Sequence, residues 1–123
     1  MSRVPAGFPS PADDYMDGTL DLNALLIRHP SASFYCRVSG DSMTGAGIFD
    51  GDYLIVDRAL QAAHGDVVVA ALDGELTCKI LDLRHQRLLA ANRDYPPIPI
   101  REGAEFVIEG VVTSSIRRHR CLP

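Results

Sequence analysis

Short apolar runs alternate with turn residues along most of the chain from residue 33 onward. These runs are rich in β-branched, aromatic and leucine residues, and the first two classes favour strands. The predicted strands are 33–38, 53–57, 67–72, 75–83, 86–91, 98–100 and 106–116. Gly, Asp, Asn and Pro lie between most of them, and closely spaced strands with such turns indicate antiparallel pairing. The pattern therefore predicts a mainly β fold, a compact antiparallel domain with little helix.

Two neighbouring runs allow a more detailed prediction. Residues 67–72 are continuously apolar, which predicts a strand that is covered on both faces. Asp73-Gly74 follows this run and predicts a two-residue hairpin turn into the strand 75–83. We therefore expect these two strands to pair directly.

The last predicted strand, residues 106–116, is amphipathic for much of its length. Successive side chains of a strand point to opposite faces, so a regular alternation assigns each apolar residue to one face. The residues expected on one face are Phe106, Ile108, Val112 and Ile116, and those expected on the other are Val107, Val111 and Thr113.

Prolines near the N terminus bar a continuous helix there and favour an extended backbone. We therefore expect residues 1–30 to form an N-terminal arm that is extended at its start, and residues 31–123 to form the β domain. Near the end of the arm, Asp21 or Asn23 is a candidate cap for one helical turn over 25–29. A protease cleft usually binds its substrate as an added strand, so an extended arm is a suitable substrate.

Composition limits the classes of function. The chain has 123 residues, 46% of them hydrophobic, and a net charge of −4, which indicates one globular domain. The negative charge does not point to nucleic acid as a direct partner, and the basic end 117–120 is expected to be solvated or to contact an acidic partner. No apolar run is long enough to span a bilayer and no leader-like segment opens the chain, so we expect a cytoplasmic protein without a membrane partner.

The cysteines and histidines do not predict a metal or disulfide site. Cys36, Cys78 and Cys121 are widely spaced, and neither a Cys-x-x-Cys motif nor a histidine pair accompanies them. Spacings of this kind support neither a disulfide framework nor a zinc site. No cofactor is expected.

Ser42 and Lys79 are the candidate catalytic residues. A serine hydroxyl needs a neighbouring base to remove its proton as it attacks. A lysine can be that base when burial disfavours its ammonium form, and Lys79 lies among apolar residues of the predicted strand 75–83. Together the two residues predict a Ser-Lys peptidase. Taken separately, each also has an ordinary structural explanation, as a turn serine or a solvated surface lysine.

The neighbours of Ser42 are candidate turn and oxyanion-hole residues. Gly40 permits a sharp turn and the close approach of a substrate strand. Backbone N–H groups near Asp41 and Ser42 are candidate donors to the negative oxygen that develops during attack on a carbonyl. Met43, which follows Ser42, is a further candidate turn or oxyanion-hole residue.

A longer set of motifs gives these predictions a specific context. In chain order the motifs are Gly7-Phe8-Pro9-Ser10-Pro11-Ala12, Asp21-Leu22-Asn23, Leu25-Leu26-Ile27, His29-Pro30-Ser31-Ala32, Ser39-Gly40-Asp41-Ser42-Met43, Asp50-Gly51-Asp52, Leu54-Ile55-Val56-Asp57, His64-Gly65-Asp66 and Asp73-Gly74-Glu75. The same motifs occur in the same order in UmuD proteins, and the chain resembles them from Gly7 to near its C terminus. UmuD proteins belong to the LexA-like self-cleaving serine peptidases.

The resemblance implies a fold, a site and a reaction. The implied fold is a compact, curved antiparallel β domain of the LexA and signal-peptidase type, with a shallow cleft and a short extended arm. Ser42 resembles the family's nucleophile, Lys79 its general base, and Ala6–Gly7 the bond that the protein cuts in itself. Ala6 stands where the family usually has Cys, and the bond is similar to the Ala-Gly bond of LexA repressors.

The resemblance also implies partners. Family members form homodimers, and a RecA filament on single-stranded DNA stimulates the cut during the SOS response to DNA damage. The processed dimer then acts as an accessory subunit of a UmuC-type Y-family polymerase in error-prone translesion synthesis, without direct sequence-specific DNA binding. The alternative function is a non-catalytic dimeric binding module that regulates such a polymerase.

Overall fold

The structure, a computed structural model, describes residues 3–12 and 18–120. Within these residues seven strands form one antiparallel sheet in the order β1-β2-β7-β3-β4-β5-β6. The strands are β1 (Ser33–Arg37), β2 (Tyr53–Asp57), β3 (Val67–Leu72), β4 (Glu75–Asp82), β5 (Arg87–Leu89), β6 (Ile98–Pro99) and β7 (Phe106–Ile116). The predicted mainly β, antiparallel fold is confirmed.

β3 lies between the two hydrophobic clusters of the core. Its neighbouring residues Val68 and Val69 point to opposite faces, and both are buried. One cluster consists of Met43, Ile48, Leu54, Val56 and Val69, and the other of Val68, Ala70, Leu81 and Leu88. We call them the Met43 cluster and the Leu81 cluster. The predicted burial of β3 on both faces is confirmed.

The predicted hairpin between β3 and β4 is also confirmed. Leu72 pairs with Glu75, so only Asp73 and Gly74 form the turn. Both have positive φ, 49° and 85°, as a type I′ turn requires. This turn sets the register of β4, the strand that contains Lys79.

β7 does not present one face along its whole length, which corrects the predicted alternation. Ile108 packs against the Leu81 cluster, whereas Val112 packs against the Met43 cluster on the opposite face of the sheet. The register between β3 and β7 shifts in this region, so that Val111 rather than Val112 follows Ile108 on the face of Val68. The predicted shared face of Ile108 and Val112 is therefore wrong, because an irregularity in strand pairing reverses the alternation.

One short α-helix, α1 (Leu22–Leu26), precedes the sheet in the described part of the chain. Asp21 caps it, since its Oδ1 accepts hydrogen bonds from the backbone N–H groups of Asn23 at 3.0 Å and Ala24 at 3.3 Å. The helix therefore begins earlier than the predicted turn over 25–29. Asn23 lies inside the helix, so its predicted role as an alternative cap is wrong.

The N-terminal arm is exposed at every described position from residue 3 to residue 12. The remaining positions 1–2 and 13–17 of the predicted arm lie outside the described residues, as does Cys121. Where the arm meets the sheet, His29 Nδ1 lies 2.6 Å from Asp57 Oδ2. None of the helices in residues 3–12 and 18–120 is long and apolar enough to cross a membrane.

Candidate active site

Ser42 lies in a loop that is fixed on both sides of the serine. On one side Gly40 adopts a φ of 95°, and its N–H donates to Asp50 Oδ1 at 2.8 Å. A residue with a side chain would be strained at this φ, so glycine is required for the turn. On the other side Met43 is only 2% exposed and anchors the loop in the core. The serine is thus held between a hydrogen-bonded turn and a buried side chain.

The segment 91–95 also contacts the loop of residues 39–43, which we call the serine loop. The Ala91 N–H donates to the Ser42 carbonyl at 2.9 Å, and Asn92 Nδ2 donates to the Asp41 carbonyl at 2.9 Å. The Tyr95 hydroxyl is hydrogen-bonded to Asp41 Oδ1, and this bond raises the pKa of Tyr95. These contacts leave the backbone of the loop little freedom to move.

Lys79 reaches the serine from β4. Its Nζ lies 2.9 Å from Ser42 Oγ, 2.9 Å from Thr77 Oγ1 and 3.1 Å from the Cys78 carbonyl oxygen. A neutral amine has one lone pair and two N–H donors. It can therefore accept the Ser42 hydroxyl proton while donating to Thr77 and Cys78. The same three contacts also suit an ammonium group that donates to all three oxygens.

Burial lowers the pKa of Lys79, because an ammonium group loses solvation when it is withdrawn from water. The neighbouring Cys78 would oppose this shift only as a thiolate. Burial raises the pKa of Cys78 to about 11, so its thiol is neutral near neutral pH. In residues 3–12 and 18–120 no carboxylate forms an ion pair with Lys79. The surroundings thus favour the neutral amine, which is the form that a general base requires.

Ser42 and Lys79 border a cavity with a volume of about 650 Å³. Apolar side chains form much of its wall, among them Phe34, Val38 and Leu76. Its polar side chains include Ser42, Thr77 and Lys79, and three further charged residues also border it, Arg37, Arg58 and Glu109. A cleft with apolar walls and placed polar groups is typical of a site that binds a substrate.

Ala6 and Gly7 lie away from this cavity. Both are exposed, and neither lines the cavity. A Cβ added at Gly7 would meet no atom within 4 Å, so the bond between these residues is unobstructed. The structure thus brings together Ser42 and Lys79 but does not bring the Ala6–Gly7 bond to them.

The backbone N–H groups of the serine loop are of two kinds, those that hold the turn and those that are candidate donors to an oxyanion. The Gly40 N–H already donates to Asp50, which leaves Gly40 a turn residue. Among the described residues, no acceptor is found for the N–H groups of Asp41, Ser42 and Met43. These three donors are accordingly the ones that remain for a negatively charged oxygen.

Three members of this site were not predicted from the sequence, namely Thr77, Asn92 and Tyr95. Thr77 could have been found, because residues two apart on a strand share a face and Lys79 was already a candidate. Asn92 and Tyr95 are separated from Asp41 by 51 and 54 residues, and no local pattern connects them to it. A further signal was the composition, since Lys79 is the only lysine among the 12 Lys and Arg residues.

The chain is similar to known proteins over nearly its whole length. ImpA of Salmonella typhimurium is 48% identical over 118 residues, which cover 96% of this chain and 81% of ImpA. MucA of Escherichia coli is 47% identical over 121 residues, which cover 97% of this chain and 83% of MucA. The LexA repressor of Xylella fastidiosa (strain M23) is 39% identical over 122 residues, 98% of this chain and 57% of the repressor.

ImpA and MucA are UmuD-like proteins, so the predicted resemblance to UmuD is confirmed. The Peptidase S24-like family matches residues 1–113. Together with the similarity to a LexA repressor, this match supports a serine peptidase of the LexA type. The chain belongs to the Peptidase S24-like family.

Proposed function

We propose that this protein is a self-cleaving serine peptidase in which Ser42 is the nucleophile and Lys79 the general base. The observation that carries the proposal is the distance of 2.9 Å between Lys79 Nζ and Ser42 Oγ, at a lysine whose pKa is lowered by burial. The bond cut is Ala6–Gly7, in the arm of residues 1–30, and residues 31–123 form the catalytic domain. The exposed position of this bond supports the arm as a substrate.

The reaction begins when the arm enters the cavity and its Ala6 carbonyl carbon approaches Ser42 Oγ. Neutral Lys79 accepts the hydroxyl proton as Oγ bonds to that carbon, and the carbonyl oxygen becomes negatively charged. Backbone N–H groups of the serine loop donate to this oxygen. Because nucleophile and substrate belong to one protein, binding costs less entropy than in a bimolecular reaction.

The second half of the reaction releases the fragments. The Lys79 ammonium donates its proton to the Gly7 nitrogen, and the Ala6–Gly7 bond breaks to leave an ester between Ala6 and Ser42. Lys79, neutral again, accepts a proton from water as the water attacks the ester. Collapse of that intermediate releases the Ala6 carboxyl group, and the proton returns to Ser42 Oγ.

The proposed biological setting is the cytoplasmic SOS response. A RecA filament on single-stranded DNA stimulates the cut by favouring the state in which the arm occupies the cavity. The processed homodimer is then an accessory subunit of a UmuC-type Y-family translesion polymerase. Similarity to the UmuD-like proteins ImpA and MucA supports this setting.

Intact-mass spectrometry tests the proposal. Wild type, Ser42→Ala and Lys79→Ala are incubated at about pH 7 and about pH 10, alone and with RecA, ATP and single-stranded DNA. We expect wild type to lose the mass of residues 1–6, faster at the higher pH, and both variants to stay intact. Ser31→Ala, which removes an exposed serine outside the cavity, is the matched control and should cleave like wild type.

Two results would contradict the proposal. Cleavage of Ser42→Ala at the wild-type rate would exclude Ser42 as the nucleophile. Intact wild type under every condition would exclude self-cleavage and favour the alternative of a non-catalytic module that binds a polymerase.

A further inference from the structure

A second surface, on the outer face of the sheet edge, combines aromatic rings with arginines. β1 is an edge strand, and its Phe34 and Cys36 pack against the Met43 cluster. Because side chains alternate along a strand, Tyr35 and Arg37 point to the outer face, where both are exposed. Tyr35 is 71% exposed, so most of its ring is accessible to a ligand.

Tyr53 connects these two residues to the end of β7. It pairs with Arg37 across β1 and β2, and its ring centroid is 6.3 Å from that of Tyr35. The guanidinium carbon of Arg37 lies 5.5 Å from the Tyr53 centroid, and that of Arg118 lies 5.3 Å from it. We call Tyr35, Arg37, Tyr53 and Arg118 the Tyr53 surface.

The position of Arg118 is set by its neighbour. Arg117 Nε and Nη2 donate to the two carboxylate oxygens of Asp52 at 2.8 and 2.9 Å, and Nη2 also donates to the Gly47 carbonyl at 2.7 Å. Asp52 is only 1% exposed, so this bidentate ion pair attaches Arg117 to a buried residue. Arg117 therefore fastens the segment that follows β7, and Arg118 extends over Tyr53.

The Tyr53 surface retains positive charge although the whole chain carries −4. Arg37, Tyr53 and Arg118 line an open cavity of about 360 Å³. Its two acidic residues are already engaged, since Asp52 binds Arg117 and Asp50 accepts from the Gly40 N–H. Among the described residues, no carboxylate forms an ion pair with Arg37 or Arg118.

We propose that the Tyr53 surface binds single-stranded nucleic acid without sequence preference. Arg37 and Arg118 contact neighbouring phosphates, and the exposed ring of Tyr35 stacks on a base. Cationic groups along the backbone and aromatic rings under the bases are the two elements of such sites. An acidic peptide would satisfy the arginines but would make no use of the exposed ring, so the observations favour nucleic acid. Arg37 also borders the cavity of Ser42 and Lys79, but this binding goes beyond the proposed peptidase function and does not depend on it.

Fluorescence anisotropy with a labelled oligo-dT of about 15 nucleotides tests the proposal on the full chain. We expect Tyr35→Ala to weaken binding about fivefold or more, and Tyr35→Phe to bind like wild type because it keeps the ring. Arg37→Ala with Arg118→Ala should weaken binding about tenfold at low salt and make the salt dependence shallower, since each lost phosphate contact removes about 0.7 from the log–log slope.

The matched control is Arg84→Ala with Arg101→Ala. These exposed arginines lie outside the Tyr53 surface, and their removal changes the net charge by the same amount. We expect this control to bind oligo-dT within about twofold of wild type, because a contact and not the overall charge is being tested. Thermal unfolding of every variant shows that each remains folded.

Three results would overturn the proposal. Absence of oligo-dT binding at low salt would exclude the site. Equal weakening by both double variants would show that the net charge alone explains the loss of binding. Tighter binding of poly-glutamate than of oligo-dT, lost with Arg37 and Arg118 but not with Tyr35, would assign the surface to an acidic peptide instead. Equal binding of a DNA duplex would contradict stacking, because its bases are not available to Tyr35.

Discussion

Two charged residues of β4 lie in opposite kinds of surroundings. Asp82 is buried, accepts a hydrogen bond from Arg87 Nε at 2.8 Å and lies 3.0 Å from His85 Nδ1. Among the described residues, Lys79, three residues earlier on the same strand, forms polar contacts only with neutral oxygens of Ser42, Thr77 and Cys78. The hydrogen bond from Arg87 holds the pKa of Asp82 far below its usual range, whereas burial lowers the pKa of Lys79.

The comparison shows how one strand serves both stability and chemistry. Both pKa values fall, but the consequences differ because one group is an acid and the other a base. For Asp82 the charged form is favoured, so the carboxylate remains a fixed partner of its cations. For Lys79 the ammonium form is disfavoured, so the neutral amine that takes a proton is easier to form than in an exposed lysine. The presence or absence of a counter-charge separates the two roles.

The largest expected effect is on the cleavage rate and follows from replacing Lys79, which forms no ion pair among the described residues. Lys79→Met should slow cleavage about a thousandfold, because general-base catalysis is lost. The same variant should unfold at a higher temperature than wild type near neutral pH, because a poorly solvated ammonium group is replaced by an apolar side chain. Mass spectrometry and thermal unfolding measure the two effects.

Lys79→Arg is the companion variant, since it keeps the positive charge but cannot become a neutral base. It should be as inactive as Lys79→Met without the gain in stability. Cleavage by Lys79→Arg near the wild-type rate would contradict the assignment of Lys79 as the base.

The pH dependence of cleavage should be the next largest effect. Below the pKa of Lys79 the neutral fraction grows about tenfold per pH unit, so the rate should rise with pH and level off above that pKa. Because burial lowers the pKa, the plateau should begin at a lower pH than an exposed lysine would give. Stability should also rise over the interval between the folded and unfolded pKa values, where the unfolded chain binds more protons.

A single labelled residue permits a direct check. Lys79 is the only lysine, so a protein labelled with 13C-lysine gives one set of side-chain signals to titrate by NMR. A titration midpoint equal to that of a free lysine, with a rate plateau at the same pH, would show that burial does not tune this residue.

Replacing Asp82 should have the opposite outcome to replacing Lys79, with a loss of stability and little change in cleavage. Asp82→Asn should lower the unfolding midpoint by about 5 °C or more near neutral pH, because it leaves Arg87 without its carboxylate partner. At temperatures where the variant is folded, cleavage should stay within about twofold of wild type, since Asp82 does not line the cavity. A large loss of activity in a folded Asp82→Asn would contradict this separation of roles.

The acid dependence of stability provides the control for that variant. The pKa of Asp82 is lowered in the fold, so its stabilising contribution is complete above the usual aspartate range and is lost as pH falls through and below that range. Asp52 and Asp57 follow the same rule because their pKa values are also lowered, by Arg117 and by His29. Asp82→Asn should therefore lose less stability than wild type between neutral and acid pH.

Local sequence patterns predicted the strand that contains Lys79 and the importance of Ser42, but not all of the surrounding contacts. The apolar run of β3 and the hairpin turn Asp73-Gly74 predicted that Lys79 lies on the following strand. The motif around Ser42 identified this serine as the partner of Lys79. The register shift that separates Ile108 from Val112 could not be inferred, because it depends on how β7 pairs with β3. The hydrogen bonds of Asn92 and Tyr95 to Asp41 join residues that are 51 and 54 positions apart, so local patterns could not predict them either. By contrast, His85 and Arg87 are close to Asp82 in sequence.

The smallest expected loss of cleavage rate tests how Lys79 is positioned. Thr77→Val removes the hydroxyl group that lies 2.9 Å from Nζ but keeps the shape of the side chain, so we expect the plateau rate to fall about tenfold. The ammonium form also loses an acceptor, so the midpoint of the pH–rate profile should move to lower pH. A purely structural role would lower stability without moving that midpoint. Thr77→Ser keeps the hydroxyl and should restore both values, and a wild-type profile in Thr77→Val would show that Ser42 and the Cys78 carbonyl suffice to orient the amine.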